Sequence, residues 1–333
     1  MTVQITIIGM GQVGTSIGLA LAQHSDLVFR VGHDKEIAAA NLAKKMGALD
    51  RVDINIPHAV EDAGLVILAV PLDQVQDAMK AVAQDLRPDV VVVDMAPVKQ
   101  TVVTWAKELL PAHAHYIGLL PVINPTYLQT HEGGTEAAHA DLFQNGLLAI
   151  VSGQGTPSEA IKLAADLSQL LGAEHLFIDP VELDSMMSAT HLLPQLVAAA
   201  LLNATVDQPG WREARMLTGR PFAEATGPAV LFDQNPALVQ AALDAREHIL
   251  RNIDNLIANL SDLRHDIRNQ DAASLTLRLE KARKGHQRWW RERNTGNWGA
   301  VETAPKVELP SVKDIFGRMV GMRRKKDEPD QRK

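Results

Sequence analysis

Residues 3–14 read VQITIIGMGQVG, an apolar strand that runs straight into glycines at 9, 11 and 14. No other stretch constrains the fold so tightly. Gly9 permits a tight turn off the strand, Gly11 lets the backbone approach a pyrophosphate, and Gly14 lets the following helix pack closely on a sheet. Met10, Gln12 and Val13 complete the loop. The helix that opens here presents unpaired N–H groups and the positive end of its dipole to an anion, and Thr15 and Ser16 are expected to add hydroxyl donors. The next apolar run, VFRVGHD, closes on Asp34, 25 positions after Gly9. A carboxylate there accepts hydrogen bonds from ribose hydroxyls and repels a 2′-phosphate, which favours NAD, while Lys35 beside it leaves NADP open. The alternative for Asp34 is a plain turn carboxylate.

The rest of the first half repeats the pattern. Strand-like runs at Val3–Gly9, Leu27–Gly32, Leu65–Val70, Val90–Asp94, Tyr116–Leu120, Leu147–Val151 and His175–Ile178 alternate with helical segments. That alternation predicts an α/β fold with a doubly wound, mostly parallel sheet of Rossmann type. The run GLVILAVP (64–71) is apolar throughout, as a strand covered on both faces should be, and places Val70 and Pro71 at the ligand-binding edge. A chain of 333 residues is long enough for two cores. With 46% hydrophobic residues, no uninterrupted apolar run of membrane-spanning length and no signal-like N-terminus, a soluble cytoplasmic protein is expected. The absence of cysteine excludes thiolate zinc sites and thiol nucleophiles; no metal-ligand spacing is present, and a net charge of −7 argues against nucleic acid as a partner.

After Asp179-Pro180 the strands stop. Val181–Val206 predicts a long central helix, Pro236–Leu260 a second with apolar residues near helical period, and Leu263–Arg288 a charged continuation. Long apolar-rich helices commonly pair between subunits, so a homodimer through this region is expected, with packing inside one chain as the alternative. The boundaries read as 1–179 for the dinucleotide-binding domain, 180–290 for the helical substrate and dimerisation domain, and 291–333 for a basic, flexible tail. That tail holds 11 Lys and Arg against 7 Asp and Glu. An apolar stripe and RRKK within 311–326 offer thin support for membrane contact; folding onto its own subunit is favoured.

Several segments together resemble the prephenate and arogenate dehydrogenase family of tyrosine biosynthesis. They are GMGQVGTSIGLAL (9–21), LAVP (68–71), DMAPVKQ (94–100), IGLLPV (117–122), ADLFQNGLLAIV (140–151), DPVELD (179–184) and ATHLLPQLVAAAL (189–201). The resemblance implies an enzyme: a Rossmann domain that binds NAD(P)+ and a helical domain that dimerises. It also implies a small carboxylate substrate oxidised with hydride transfer and loss of carbon dioxide. A hydrogen-bond acceptor relieves the alcohol, and cations or N–H donors hold carboxylate.

The sequence departs from the family where the substrate is handled. Leu120 stands at the family's His, Pro97 at its Ser, Leu183 and Gln195 at two further His positions, and Gly227 where an Arg is expected. The candidates for substitute groups are His191, Lys99 and Asn124. His191 matches a family His, the alternative being a core histidine. Lys99 either meets a carboxylate or solvates a helix start. Asn124 either donates to substrate or shapes the turn before Pro125. His131, Arg215 and Arg220 are weaker candidates, with surface roles as the alternative; His113 and His115 are expected outside the site. Two other readings stay open: an NAD-binding sensor or partner without turnover, and a dehydrogenase or reductase for another small carboxylate.

Overall fold

The computed structural model describes residues 2–130, 132–153, 155–229 and 235–296. Eight strands form one sheet: β1 (Val3–Ile8), β2 (Val28–His33), β3 (Arg51–Val52), β4 (Ala63–Leu68), β5 (Val91–Asp94), β6 (His115–Val122), β7 (Leu147–Ser152) and β8 (Glu174–Phe177), in the order 3-2-1-4-5-6-7-8. All neighbours are parallel except β6 and β7, which pair antiparallel with Leu119 opposite Ile150. Only β3 escaped the sequence reading, because two residues carry no periodicity.

Helices α1 (Gln12–Leu21), α2 (Ile37–Lys45), α3 (Ile56–Val60), α4 (Leu72–Val82), α5 (Gln100–Leu109) and α6 (Ser158–Leu170) lie between the strands. Strand β4 is buried at every position, as its unbroken apolar run requires. The core gathers Ile5, Ile7, Ile67, Ile17, Leu21 and Phe143 with their neighbours. Chain direction across the sheet reverses between β1 and β4, whose ends Ile8 and Leu68 are in register. A crevice at the carboxyl ends of these two strands follows, and it is where open α/β sheets bind ligands.

The described residues divide into two compact units, one of 2–184 with 235–241 and the other of 185–229 with 242–296. The second is helical. Helix α7 (Pro180–Met187) continues through a π turn (Ser188–Leu192) into α8 (Leu193–Thr205). Pro194 lacks the N–H that would close the ladder onto Thr190, and a local π turn is one way a helix absorbs that loss. By length and mean hydropathy alone (26 residues, 1.3) this stretch would serve as a membrane span. Glu182, Asp184 and His191 interrupt its apolar run, and a core helix of a soluble protein has the same length and composition.

Further on, two expectations are corrected. The segment 236–260 is not one helix, since α11 (Asn235–Asp244) ends at Ala245 and α12 (Arg246–Arg268) begins after it; the shorter α9 (Trp211–Leu217) and α10 (Arg220–Thr226) precede them. Nor does 263–288 run on as one helix. The chain turns at Gln270, with φ +54, and Asp271 caps α13 (Ala272–Thr295) by accepting from the Ser274 N–H. Arg278 bridges back to α12 through Asp266 (2.6 Å) and Asp262 (2.9 Å). Helix therefore extends past 290 to Thr295, into what the sequence suggested was tail. The 311–326 segment lies outside the described residues. On α12, Leu250, Ile257, Leu260 and Ile267 stay exposed, spaced by seven and three as in a packing seam.

Candidate functional site

At the end of β1 the backbone of Gly9 has φ +96, and a Cβ there would sit 2.5 Å from the Ala69 carbonyl oxygen and 2.9 Å from Val70 Cγ1. A Cβ on Gly14 would meet the Gly9 oxygen at 1.9 Å. Side chains are excluded at both positions by contact, so the loop, α1 and the end of β4 close on one another as the glycine spacing predicts. Gly11 differs: its missing Cβ faces open space, with no atom within 4 Å. It is also the N-cap of α1, where no side chain caps the first-turn N–H groups. The loop is thus rigid where it meets protein and open where it meets solvent, a geometry suited to an anion.

Asp34 follows the last residue of β2. Its Oδ2 accepts the Met10 N–H at 2.6 Å and its Oδ1 the Glu36 N–H at 2.8 Å. The carboxylate keeps unused lone pairs beside the loop, so it both orients Met10 and has room for hydroxyl donors. Val70 and Pro71 are half-buried at the β4–α4 junction. The Gln12 amide donates to Ala137 O at 3.0 Å, and Met10 and Val13 pack in or against the core.

Thr15 and Ser16 do not serve as sequence suggested. Both are fully buried. The Thr15 hydroxyl donates to Met10 O at 3.0 Å, and the Ser16 hydroxyl accepts the His139 N–H at 3.0 Å. On the first turn they face inward because the α1 surface beneath them is covered by the β6–β7 connection, which sequence spacing gave no way to anticipate.

Lys99 is also corrected, on both of its readings. Its side chain has no solvent exposure, and its ammonium donates to Asp94 Oδ1 (2.7 Å), Asp94 O (3.2 Å) and Leu119 O (2.9 Å). Three donors with three acceptors leave nothing for a substrate carboxylate or for water. Tyr116 donates its hydroxyl to Asp94 Oδ2 at 2.6 Å, and Ala96 N–H reaches Oδ1 at 2.9 Å. Burial pulls the Lys99 ammonium below its usual range against the opposing pull of Asp94; burial, then Asp94, holds the Tyr116 phenol well above its own. Asp184 closes the cluster: it accepts from Lys99 N (2.6 Å), Gln100 N (3.0 Å) and Gln100 Nε2 (3.2 Å), capping α5 across 84 residues of sequence. Burial raises its pKa, and those donors oppose the shift. From sequence the Asp94 to Lys99 segment is expected in the ligand crevice, while Tyr116 and Asp184 are given no role. The Asp-x4-Lys spacing after a strand was a legible signal, and Asp184 left none.

Asn124 is 7% exposed and engaged on both sides of its amide, donating to Asp141 O at 3.2 Å and accepting the Thr126 N–H at 3.1 Å. The structure gives it the turn role, capping the short helix at Pro125, with one N–H of its amide committed to Asp141 O. Leu120 is buried on β6 and Pro97 half-buried after β5. His191 sits in the π turn of the other unit. The residue is exposed as a whole and its ring has no hydrogen-bond partner among the described residues, while protein packed near the ring disfavours the charged form and lowers its pKa below 6.5. Arg215 and Arg220 are exposed in the same unit, Arg220 with only a loose 3.8 Å pairing to Glu224. His131 lies outside the described residues. His113 is exposed and its ring meets Leu86 O at 3.0 Å, and His115 is partly buried. Among the described residues no group of three or more His, Asp or Glu is arranged to hold a metal.

Residues 17–176 match the family model described as prephenate dehydrogenase, nucleotide-binding domain, and residues 179–281 that described as prephenate dehydrogenase, dimerization domain. The chain is 28% identical over 285 residues to the cyclohexadienyl dehydrogenase of Zymomonas mobilis, covering 84% of this chain and 94% of that protein. It is 32% identical over 264 residues to the probable prephenate dehydrogenase NovF of Streptomyces niveus, covering 76% and 68%. Among solved structures, prephenate dehydrogenase from A. aeolicus in complex with hydroxyphenyl propionate and NAD+ aligns with a TM-score of 0.75 at 20% identity, over 86% of this chain and 98% of that one. The sheet followed by helices is the architecture these two family domains describe.

Proposed function

The chain belongs to the prephenate dehydrogenase family, and on that premise we propose that it is an NAD-dependent oxidoreductase of the prephenate or arogenate type, with an altered set of substrate-handling residues. The observation that carries the reading is the glycine loop: crowded at Gly9 and Gly14, open at Gly11, uncapped at the start of α1, and flanked by Asp34. These residues fit a dinucleotide. The first turn of α1 holds the pyrophosphate, Asp34 takes the ribose hydroxyls and disfavours a 2′-phosphate, and Val70 and Pro71 wall the crevice. NAD+, when bound, supplies the hydride acceptor.

On the substrate side, the hydroxyl proton needs an acceptor as its carbon gives up hydride and carbon dioxide departs. His191 is the group we assign, since its ring has no hydrogen-bond partner among the described residues and desolvation favours its neutral form. Arg215 or Arg220 is left to hold carboxylate, because Lys99 is committed to Asp94. The proposed setting is cytoplasmic, as a homodimer through the helical domain.

One set of observations favours a second reading, an NAD-binding protein without turnover. Leu120 and Pro97 offer neither acceptor nor donor, and Lys99 and Asn124 are tied into the fold. Absorbance at the NADH wavelength with prephenate and arogenate, beside direct binding of NADH and NADPH, separates the two. NADH production with either substrate supports the enzyme; tight NADH binding without turnover on either supports the second reading. Failure to bind NADH removes both.

A further inference from the structure

The connection between β6 and β7 reaches the glycine loop from more than a hundred residues away in sequence. Thr135, 8% exposed, donates its hydroxyl to Met10 O at 2.6 Å. Two further bonds flank it, Gln12 Nε2 to Ala137 O (3.0 Å) and His139 N to Ser16 Oγ (3.0 Å). The Met10 peptide groups are therefore held at both ends: the N–H by Asp34 (2.6 Å), and the carbonyl by two hydroxyls, Thr15 (3.0 Å) and Thr135 (2.6 Å).

The position of that carbonyl gives the arrangement a purpose. Met10 stands between the two glycines that shape an anion-binding turn, and a carbonyl oxygen carries partial negative charge. Left free, it competes with the neighbouring N–H groups for orientation and repels a phosphate. Two hydroxyl donors turn it into the protein. What then remains at the loop mouth is N–H. Thr15 is local and comes with the helix; Thr135 is supplied by a distant segment that places its hydroxyl there and nowhere else.

We propose that Thr135 is a positioning residue for the dinucleotide pyrophosphate, acting through the Met10 carbonyl. The proposal rests on the dinucleotide reading of the loop. Thr135→Val keeps the branched shape and deletes the donor; Thr135→Ser restores it; Thr135→Ala, measured beside them, adds no bulk if valine impairs folding.

Binding of NADH, ADP and adenosine to the folded full-length protein is the test. Loss of one hydrogen bond predicts that Thr135→Val and Thr135→Ala bind NADH and ADP about three- to ten-fold more weakly, with adenosine unchanged and Thr135→Ser near wild type. Unchanged NADH affinity in both variants overturns the proposal. So does an equal loss for adenosine and ADP, which marks a general structural defect. If wild-type protein binds neither NADH nor ADP, the dinucleotide reading fails and the proposal falls with it, an outcome distinct from wild-type binding that the variants retain.

Discussion

Lys99 Nζ lies 2.7 Å from Asp94 Oδ1, and neither side chain has any solvent exposure. The pair links the loop after β5 to Leu119 on β6 and is shared by Tyr116. Its function is to hold the carboxyl edge of the sheet in shape. A buried ion pair of this kind is costly to break from one side, because the surviving charge has no solvent to turn to.

Lys99→Met should accordingly destabilise the protein by about 3–5 kcal/mol in urea unfolding. The double variant Asp94→Asn with Lys99→Met should recover part of that loss, since it leaves no unpaired charge. Additive losses would argue against a coupled pair.

Glycines 11 and 14 should part company. Gly14→Ala forces a Cβ to 1.9 Å from a carbonyl oxygen and should lower the melting temperature. Gly11→Ala meets no atom within 4 Å, and its φ of −73 suits alanine. Its melting temperature should stay near wild type while NADH binding weakens by an order of magnitude or more, read by calorimetry on the same sample.

The chain has two tyrosines, and both are shifted upward: Tyr127 to about 12, chiefly by its hydrogen bond to Asp141, and Tyr116 well above 10 by burial and then Asp94. An ultraviolet titration of the folded protein should show no phenolate step near pH 10. Because folding raises both values, the stability these phenols contribute is fully present below pH 10, the unfolded value, and is lost as pH climbs through the folded values. Asp141→Asn should bring the Tyr127 step back toward 10.

His191 titrates on the opposite side. Its folded pKa lies below 6.5 through desolvation, so its contribution to stability is present above pH 6.5 and is lost as pH falls through the folded value. The imidazole proton resonance should move with a midpoint under 6.5. If His191 accepts the substrate proton, His191→Asn should reduce turnover about 10²- to 10⁴-fold with NADH affinity unchanged. Undiminished turnover would remove it from the site.

The exposed residues Ile257 and Leu260 on α12 belong to the domain that matches the family's dimerisation domain. Ile257→Glu with Leu260→Glu should halve the mass seen by light scattering while leaving helical content unchanged. A constant mass would place the dimer face elsewhere.

Much of the fold was legible because its signals are local. Strand β4 announces itself by an unbroken apolar run, and Gly9 and Gly14 by a spacing that contact alone enforces. The helix breaks at Ala245 and Gln270 were not legible, since amphipathic periodicity runs on across a turn of one or two residues. In the site, the loop-to-carboxylate interval singled out Asp34 as a ribose acceptor, and its bond to the Met10 N–H was visible only in the structure. Whether a polar side chain is free is another matter, because that depends on partners distant in sequence.

Sequence by itself determined the doubly wound sheet, the dinucleotide loop and the helical second half, since periodicity and glycine spacing act within a few residues. Tertiary structure decided which polar groups remain available. It committed Lys99 to Asp94, Asn124 to its turn, and Thr15 and Thr135 to one carbonyl, and it left the His191 ring without a hydrogen-bond partner among the described residues. Those outcomes depend on hydrogen bonds between residues from 2 to 125 positions apart, and on the cost of burying a polar group without one.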